Sequence, residues 1–196
     1  MNEKRHLLAF ATALLLLQAC SSAPGEQPPL AGAAIGGPFS LTDQDDRRVT
    51  DRDFAGKYRL VYFGFSYCPD VCPVDLQLAG QGLRLLEKSD PQVAAKVQPI
   101  FISVDPERDS PAVLKPYVAA FHPRLIGLTG SEQEIKDVAK RHGVYFSKRG
   151  DRGSSNYLVD HSRTLLLFGP QGEPIAIVPH EKGAQAIADE LRRWVK

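Results

Sequence analysis

Two cysteines four residues apart are the strongest candidates for chemistry in this chain. Cys68 and Cys72 lie in the segment 68–73, CPDVCP, between an apolar run of strand length and a stretch with helical periodicity. If the first helical turn is already wound there, both side chains share one face, with Cα atoms about 6 Å apart. That distance allows either a disulfide or the binding of one metal ion by both sulfurs. A helix start also lowers the pKa of a thiol and makes it reactive.

An inert structural disulfide is the alternative interpretation of this pair, because residues 1–19 resemble an export signal, as described below, and exported proteins meet an oxidising environment. A bridge over so short a loop removes little entropy from the unfolded chain, so it would stabilise the fold only weakly. The pair is therefore interpreted as redox-active, metal-binding or both.

His161 is the candidate for a third ligand, because a metal site needs more than two sulfurs. It occurs in the segment 159–162, VDHS, where a predicted strand ends beside a carboxylate. His6 belongs to the predicted signal. The other three histidines occupy a loop, a helix end and the chain after a late strand: His122, His142 and His180. Spacing alone does not decide whether His161 is a metal ligand or an ordinary surface or core histidine.

The first 38 residues are predicted to lie outside the folded domain. A basic start, an apolar run over residues 7–17 and the lipobox-like LQAC ending at Cys20 indicate a lipoprotein signal peptide over residues 1–19. The apolar run is about half the roughly 20 residues that a transmembrane helix needs. Lipid on Cys20 and a flexible linker over residues 20–38 would tether the domain to a membrane outside the cytoplasm, on the periplasmic side of the cell envelope. A plain signal peptide with an incidental cysteine is the alternative.

Residues 39–196 are predicted to form one α/β domain, because strand-like runs alternate with helical patterns. The order favours a thioredoxin-like three-layer sandwich with a mixed central sheet and an N-terminal hairpin. Pro116 is expected to kink or interrupt its helix. The predicted strands cover 39–41, 49–50, 58–65, 97–104, 125–128, 157–159, 164–168 and 174–178, and the predicted helices cover 73–87, 111–121, 131–142 and 183–195.

The composition excludes two functional classes. With 24 Lys+Arg against 23 Asp+Glu, the chain lacks the basic excess that nucleic-acid binding requires, so no nucleic-acid partner is expected. Hydrophobic residues make up 43%, which is too many for a disordered chain of this charge. One domain with a single core is expected from the length.

Three segments, taken together and in this order, resemble the Sco/SenC family: GFSYCPDVCP at 64–73, SVDPERD at 103–109 and VDHS at 159–162. The resemblance extends from about residue 39 to the C-terminus. Members of that family are membrane-anchored, thioredoxin-like copper proteins that help to assemble the dinuclear copper site of cytochrome c oxidase. The resemblance implies that Cys68, Cys72 and His161 are copper ligands. The lipobox-like signal stands where many members have a transmembrane helix.

The resemblance also implies copper as the bound metal and indicates the kinds of partner. Soft thiolates select Cu(I), and Cu(II) heads the affinity order of divalent ions, so two cysteines and one imidazole suit both states. Zinc suits the same set if a fourth ligand is present. The implied partners are the copper-bearing subunit of cytochrome c oxidase or another envelope copper protein, and a thiol reductant. The sequence leaves two roles open for Asp105 and Asp160: each could support the metal site, or serve an ordinary turn, capping or surface role.

A thiol–disulfide oxidoreductase that acts on a partner's cysteines is the alternative function, with Cys68 and Cys72 as its catalytic redox pair. Thioredoxins carry CxxC and a facing cis-proline, whereas this chain has one more residue between its cysteines and no proline next to His161. A peroxidase needs a threonine three residues before the reactive cysteine, where Phe65 stands. These differences favour a metallochaperone over an enzyme.

Overall fold

The structure is a computed structural model that describes residues 26–150 and 157–196. The predicted signal peptide and Cys20 lie outside the described residues. Within the described ranges, no helix is both long enough and apolar enough to cross a bilayer.

The strands are β1 (Ser40–Asp43), β2 (Arg48–Thr50), β3 (Tyr58–Gly64), β4 (Val97–Ser103), β5 (Ile126–Thr129), β6 (Phe146–Arg149), β7 (Leu158–His161), β8 (Leu165–Phe168) and β9 (Pro174–Val178). The α-helices are α1 (Val71–Ser89), α2 (Pro91–Ala95), α3 (Pro111–Phe121), α4 (Glu132–Arg141) and α5 (Ala184–Trp194).

Seven of these strands form one mixed sheet in the order β2-β1-β5-β4-β3-β8-β9. β4 runs parallel to both β3 and β5, and the other neighbours are antiparallel. All seven residues of β3 are buried, as its continuous apolar sequence predicts. The carboxyl end of this central strand leads directly to the cysteine segment, at the edge where α/β sheets place functional groups. The predicted mixed sheet and N-terminal hairpin are confirmed.

Helices cover both faces of the sheet. The Tyr62 hydroxyl donates a hydrogen bond to Asp75 of α1 at 2.8 Å, and α5 packs against α1 on that face. The next residue, Phe63, points to the opposite face because side chains alternate along a strand. Its ring contacts His142 at the end of α4, with centroids 5.4 Å apart. The predicted three-layer sandwich is therefore confirmed.

The sequence does not predict the second, two-stranded sheet, in which β6 pairs antiparallel with β7. β6 has the sequence FSKR and is mostly exposed, so its apolar alternation is too weak to indicate a strand. Pairing places Phe146 opposite His161. As a result, β7 extends to His161, two residues beyond the predicted strand end at Val159.

α3 runs without interruption through Pro116, although the sequence predicts a kink or an interruption there. A proline in a helix removes one backbone hydrogen bond and crowds the preceding turn. Three buried apolar side chains on one face of α3 pack into the core on both sides of the proline: Leu114, Val118 and Phe121. This packing holds the two halves of the helix together.

The described end of the predicted 20–38 linker lies against the domain. The Leu30 N–H donates to the carbonyl oxygen of Ile175 at 2.9 Å. The Gly36 N–H donates to the carbonyl oxygen of Arg141 at 2.8 Å. The sequence predicts a flexible segment here because it is rich in Gly, Ala and Pro and has no periodic apolar residues. The backbone hydrogen bonds that hold Leu30 and Gly36 to distant elements cannot be read from the sequence.

Replacing Ser131 with alanine is expected to lower the free energy of unfolding by about 1 kcal/mol. Ser131 is the N-cap of α4, and its hydroxyl accepts from the Glu134 N–H at 3.3 Å while the Glu134 carboxylate accepts from the Ser131 N–H at 2.7 Å. Ser110→Ala is the matched control, because Ser110 caps α3 without a side-chain hydrogen bond. Urea denaturation measures both, and equal losses in the two variants would contradict the assigned capping role.

Candidate metal centre

The end of β3 and the start of α1 position the two cysteines. β3 ends at Gly64 and α1 begins at Val71, so Cys68 lies in the connecting turn and Cys72 in the first turn of the helix. The Cys68 N–H donates to the carbonyl oxygen of Phe65 at 3.2 Å. The Cys72 N–H points at the Cys68 sulfur, 3.4 Å away. This tight turn places both free thiols on the same side of the helix start, as their spacing predicts.

His161, the last residue of β7, brings an imidazole to the two sulfurs. Its Nε2 lies 3.2 Å from the Cys72 sulfur, although 89 positions separate the two residues. The ligand atoms of Cys68, Cys72 and His161 all lie within 4.8 Å of one another, so one ion could contact all three. Among residues 26–150 and 157–196, this is the one group of His, Cys, Asp or Glu side chains arranged in this way. The structure therefore brings together all three predicted ligands.

The surroundings of His161 keep its ring neutral and direct Nε2 toward the sulfurs. Nδ1 lies 3.1 Å from the Ser162 carbonyl oxygen, which only accepts hydrogen bonds, so Nδ1 carries the ring proton. The rings of Tyr62 and Phe65 meet the imidazole edge-on, with centroids 6.1 and 6.0 Å away. Burial lowers the pKa of His161. A neutral imidazole with its lone pair on Nε2 is the form that binds metals.

Cys72 is fully buried, and burial changes the chemistry expected of a helix start. The sequence predicts a thiol with a lowered pKa, but exclusion of water raises the pKa of Cys72 far above its usual value. That prediction is wrong for Cys72, because the cost of burying a thiolate outweighs the field of the first helical turn. A soft metal ion that replaces the thiol proton would compensate the charge of the buried sulfur.

Gly64, the last residue of β3, makes room for the Cys72 sulfur. A Cβ atom at this position would lie 2.9 Å from that sulfur and 3.0 Å from the ring of Tyr62. Distances under 3 Å are far inside van der Waals contact for carbon and sulfur. The glycine is therefore required for space at the site.

The segment 103–109 holds the cysteine turn through a buried carboxylate. Asp109 accepts a hydrogen bond from the Ser66 N–H at 3.0 Å and further bonds from the hydroxyls of Ser66 and Ser103. Burial raises the pKa of Asp109, and these three donors act against that rise. Because Ser66 lies two residues before Cys68, Asp109 fixes the start of the turn.

The same segment holds the chain that leads into β7. The fully buried Asp105 accepts hydrogen bonds from the Tyr157 hydroxyl and the Arg108 guanidinium, both at 2.5 Å. Arg108 also donates to the Tyr157 carbonyl oxygen at 3.0 Å, and its guanidinium lies 3.7 Å from the centre of the Tyr157 ring. Tyr157 stands four residues before His161. Asp105 thus supports the strand that carries the imidazole.

A cleft of about 360 Å³ opens beside the cluster, lined in part by Cys68, Asp160 and His161. An incoming molecule can therefore reach one sulfur and the imidazole. The Asp160 carboxylate is half-exposed and pairs with Arg149 at 2.8 Å across the β6–β7 sheet. Asp160 consequently stabilises the pairing of its strand, while the Ser162 carbonyl oxygen is the partner of the His161 ring proton.

An ion pair between a buried carboxylate and a half-exposed arginine, close to the cluster, is not evident from the sequence. Asp75 of α1 is 2% exposed and accepts bonds from the Tyr62 hydroxyl at 2.8 Å and from Nε and Nη2 of Arg163 at 3.0 and 2.7 Å. Burial alone would raise the pKa of Asp75, but hydrogen bonds from His180, Arg163 and Tyr62 hold it far below its usual range. The one available signal is an acidic residue on the core-facing side of a helix, three positions after Cys72.

Comparison with protein families and curated sequences identifies relatives over most of the chain. The family model described as SCO1/SenC matches residues 27–196, and this match begins inside the predicted linker. Protein SCO1 homolog 1, mitochondrial, of Arabidopsis thaliana is 48% identical over 181 residues, which cover 90% of this chain and 53% of that protein. The chain thus spans about half the length of the curated relatives it matches.

Solved structures with the same fold include three that hold copper. The structure of Bradyrhizobium japonicum ScoI with copper bound is 40% identical, with a TM-score of 0.74, and the match covers 82% of this chain and 99% of that one. Yeast Sco1 with copper bound is 39% identical, with a TM-score of 0.75, and the match covers 83% and 88%. This chain is similar to both in sequence and in fold.

Gly64→Ala is expected to lower the free energy of unfolding by about 1–3 kcal/mol, because the added methyl group must displace the Cys72 sulfur or the Tyr62 ring. The same substitution in a Cys72→Ala background should cost less, since the smaller side chain removes the main clash. Urea denaturation of the four proteins in this cycle measures the coupling. An identical cost in both backgrounds would contradict the assigned role of Gly64.

Proposed function

The chain belongs to the SCO1/SenC family, and we propose that it is a metallochaperone that carries one copper ion on Cys68, Cys72 and His161. The observation that carries the proposal is the convergence of these three ligand atoms within 4.8 Å. Two thiolates suit Cu(I), and a neutral imidazole adds the nitrogen that Cu(II) favours. The copper held by relatives 40% and 39% identical to this chain supports copper over zinc.

The access to the cluster supports a carrier over a permanent metal site. Three protein ligands leave coordination positions for the ligands of a recipient, and the cleft reaches both Cys68 and His161. A thiol or imidazole of the recipient can therefore approach the ion and replace these two ligands in turn. Cys72 is fully buried, so we expect its sulfur to be the last to release copper.

The proposed recipient is the copper-bearing subunit of cytochrome c oxidase, as the family resemblance implies, with another envelope copper protein as the alternative. Copper binds thiolates and not a disulfide, so the proposal also requires a thiol reductant that acts on Cys68 and Cys72. The recipient and the reductant together would make delivery a cycle of reduction, loading and transfer.

Thiol–disulfide exchange with a partner protein is the second candidate function, and the proximity of two free thiols favours it. Exchange needs only the two sulfurs, because each step is an attack of one sulfur on another. The position of His161 Nε2, 3.2 Å from the Cys72 sulfur, supplies the further ligand that a metal site needs. This third group supports the metallochaperone as the main function.

A lipid anchor is the proposed attachment of this domain to a membrane. The proposal rests on the sequence: residues 1–19 as a signal peptide, Cys20 as the acylated first residue of the mature chain, and residues 20–38 as the connecting segment. Two or more acyl chains give stable membrane binding, whereas one gives only marginal binding. The domain would then act outside the cytoplasm, on the periplasmic face of a membrane of the cell envelope.

The reduced full-length chain is expected to bind one copper ion. Cys68→Ala or Cys72→Ala should abolish tight Cu(I) binding, because a single thiolate remains. His161→Ala should weaken Cu(II) binding more than Cu(I) binding, because Cu(II) favours the imidazole nitrogen. Copper-to-protein ratios and competition with a chelator measure these effects. Cys20→Ser is the matched control, since it removes a thiol that is no part of the proposed ligand set.

Equal copper content in the parent and in a variant with all three ligands replaced by alanine would contradict the proposed site. Transfer of copper from the loaded parent to a copper-free oxidase copper domain would support the proposed recipient. Rapid reduction of a protein disulfide without copper, together with inhibition by copper, would instead favour the oxidoreductase.

Mass spectrometry of the protein extracted from a bacterial membrane is expected to find an acylated Cys20 as the mature first residue. Cys20→Ser should leave the signal uncleaved or the domain unlipidated, while copper binding by the folded domain stays the same. A mature terminus without lipid would disprove the anchor and leave the metal site unaffected.

A further inference from the structure

We infer that the ion pair between Asp75 and Arg163 is a positioning device that holds His161 within reach of copper. Asp75 lies on α1, three residues after Cys72, and Arg163 follows His161 by two residues. The pair therefore joins the helix that carries a sulfur ligand to the chain that carries the imidazole. The inference rests on the proposed function and names residues that contact the ligand segments and not the metal.

The geometry of this pair is well defined. Nε of Arg163 donates to Oδ2 of Asp75 at 3.0 Å, and Nη2 donates to Oδ1 at 2.7 Å. Two parallel hydrogen bonds between a planar guanidinium and a carboxylate fix orientation as well as distance, which a lysine cannot do. Asp75 is almost fully buried, whereas the Arg163 side chain is 47% exposed. The arginine thus reaches from the edge of the cleft to an anchor in the core.

The anchor itself is held in place by two further side chains. The Tyr62 hydroxyl of β3 donates to Oδ2 of Asp75 at 2.8 Å, and Nε2 of His180 lies 3.4 Å from the same oxygen. A buried carboxylate is costly unless its oxygens are paired, and here every partner comes from a different element of the fold. Asp75 is consequently a fixed point to which the segment after β7 is attached.

Two routes connect this fixed point to the imidazole. The first is the main chain: Ser162 lies between His161 and Arg163, and its N–H donates to the Tyr145 carbonyl oxygen at 2.9 Å. Residues 161–163 are thereby held by Tyr145 and by Asp75. The Ser162 carbonyl oxygen, held in this way, is the acceptor that keeps the proton on Nδ1 of His161.

The second route is the ring of Tyr62. Its hydroxyl is bonded to Asp75, and its ring meets the His161 imidazole edge-on with centroids 6.1 Å apart. The Asp75 carboxylate therefore positions both the backbone that follows His161 and the Tyr62 ring that packs against the imidazole. The backbone of neither sulfur ligand is held by Arg163, because Cys68 lies in the turn after β3 and Cys72 in the first turn of α1.

Because the imidazole and the two sulfurs are supported separately, loss of the Asp75–Arg163 ion pair should affect the affinities for Cu(I) and Cu(II) unequally. Loss of the ion pair should leave the two thiolates in place and release the imidazole. Two thiolates are sufficient for Cu(I), whereas Cu(II) relies on the nitrogen ligand. Residues that orient a metal ligand commonly change metal affinity about 10- to 100-fold when they are replaced.

The test is Arg163→Gln in the reduced full-length chain. We expect a Cu(II) affinity about 10- to 100-fold lower than that of the parent, an unchanged Cu(I) affinity, and loss of the imidazole nitrogen coupling from the Cu(II) electron paramagnetic resonance spectrum. Arg163→Lys should show the same losses, because it keeps the charge but cannot form the paired bonds. This variant separates positioning from a simple effect of positive charge near the metal.

The copper-free protein gives an independent readout. In 15N NMR spectra the parent should show His161 as the single Nδ1–H tautomer, and Arg163→Gln should show a mixture of tautomers. Arg124→Gln is the matched control, because Arg124 forms an ion pair elsewhere on the domain, where its Nε and Nη2 both donate to Oε1 of Glu87 at 3.0 and 2.7 Å. It should lower stability without changing either the tautomer or the copper spectra.

The outcomes distinguish this inference from the proposed function. A parent that binds copper through an imidazole, with an Arg163→Gln variant that keeps the same nitrogen coupling and tautomer, would overturn the positioning role and leave the metallochaperone intact. A parent that binds no copper would overturn both. Equal losses of Cu(I) and Cu(II) binding in Arg163→Gln would also overturn the positioning role, because they would indicate general disruption of the domain.

Discussion

A fully buried sulfur beside a neutral imidazole is the feature on which the rest of the site depends. Burial makes the Cys72 thiolate unfavourable in the absence of a compensating cation, and a soft metal ion supplies that compensation. The sulfur fits only because Gly64 has no side chain. The same burial lowers the pKa of His161, and the Ser162 carbonyl oxygen holds the ring proton on Nδ1, so that Nε2 faces the sulfur. The proposed copper site and the packing of the core are therefore parts of one arrangement.

Three buried carboxylates hold the two ligand-bearing segments in place. Asp109 fixes the turn before Cys68, Asp105 fixes the chain before β7, and Asp75 fixes the chain after His161. Buried carboxylates with several donors give rigid and directional support, because each unpaired oxygen would be costly. Cys68 and His161, which line the cleft, thus remain accessible while their backbones stay fixed. A carrier needs both properties, since it must hold copper selectively and still release it.

The parts of this molecule that are predictable from its sequence are those set by neighbouring residues. The spacing of Cys68 and Cys72 and the apolar run of β3 are local patterns, and both predictions agree with the structure.

His161 is 89 residues away from Cys72, and only the order of three motifs, read as a family resemblance, singles it out from other histidines. The pairing of Asp75 with Arg163 spans 88 residues and has no such motif. The raised pKa of Cys72 likewise follows from its burial in the folded domain, and a helix start in the sequence does not predict that burial. β6 is a strand only because β7 pairs with it.

X-ray absorption spectroscopy of the copper-loaded, reduced protein tests the proposed ligand set most directly, because it counts the atoms bound to the metal. We expect two sulfur neighbours in both oxidation states. For Cu(II) we also expect a nitrogen neighbour with the outer-ring scattering of an imidazole, and this signal should disappear in His161→Ala. A copper environment of oxygen and nitrogen alone, or a spectrum identical in the parent and in a variant without either cysteine, would contradict the account.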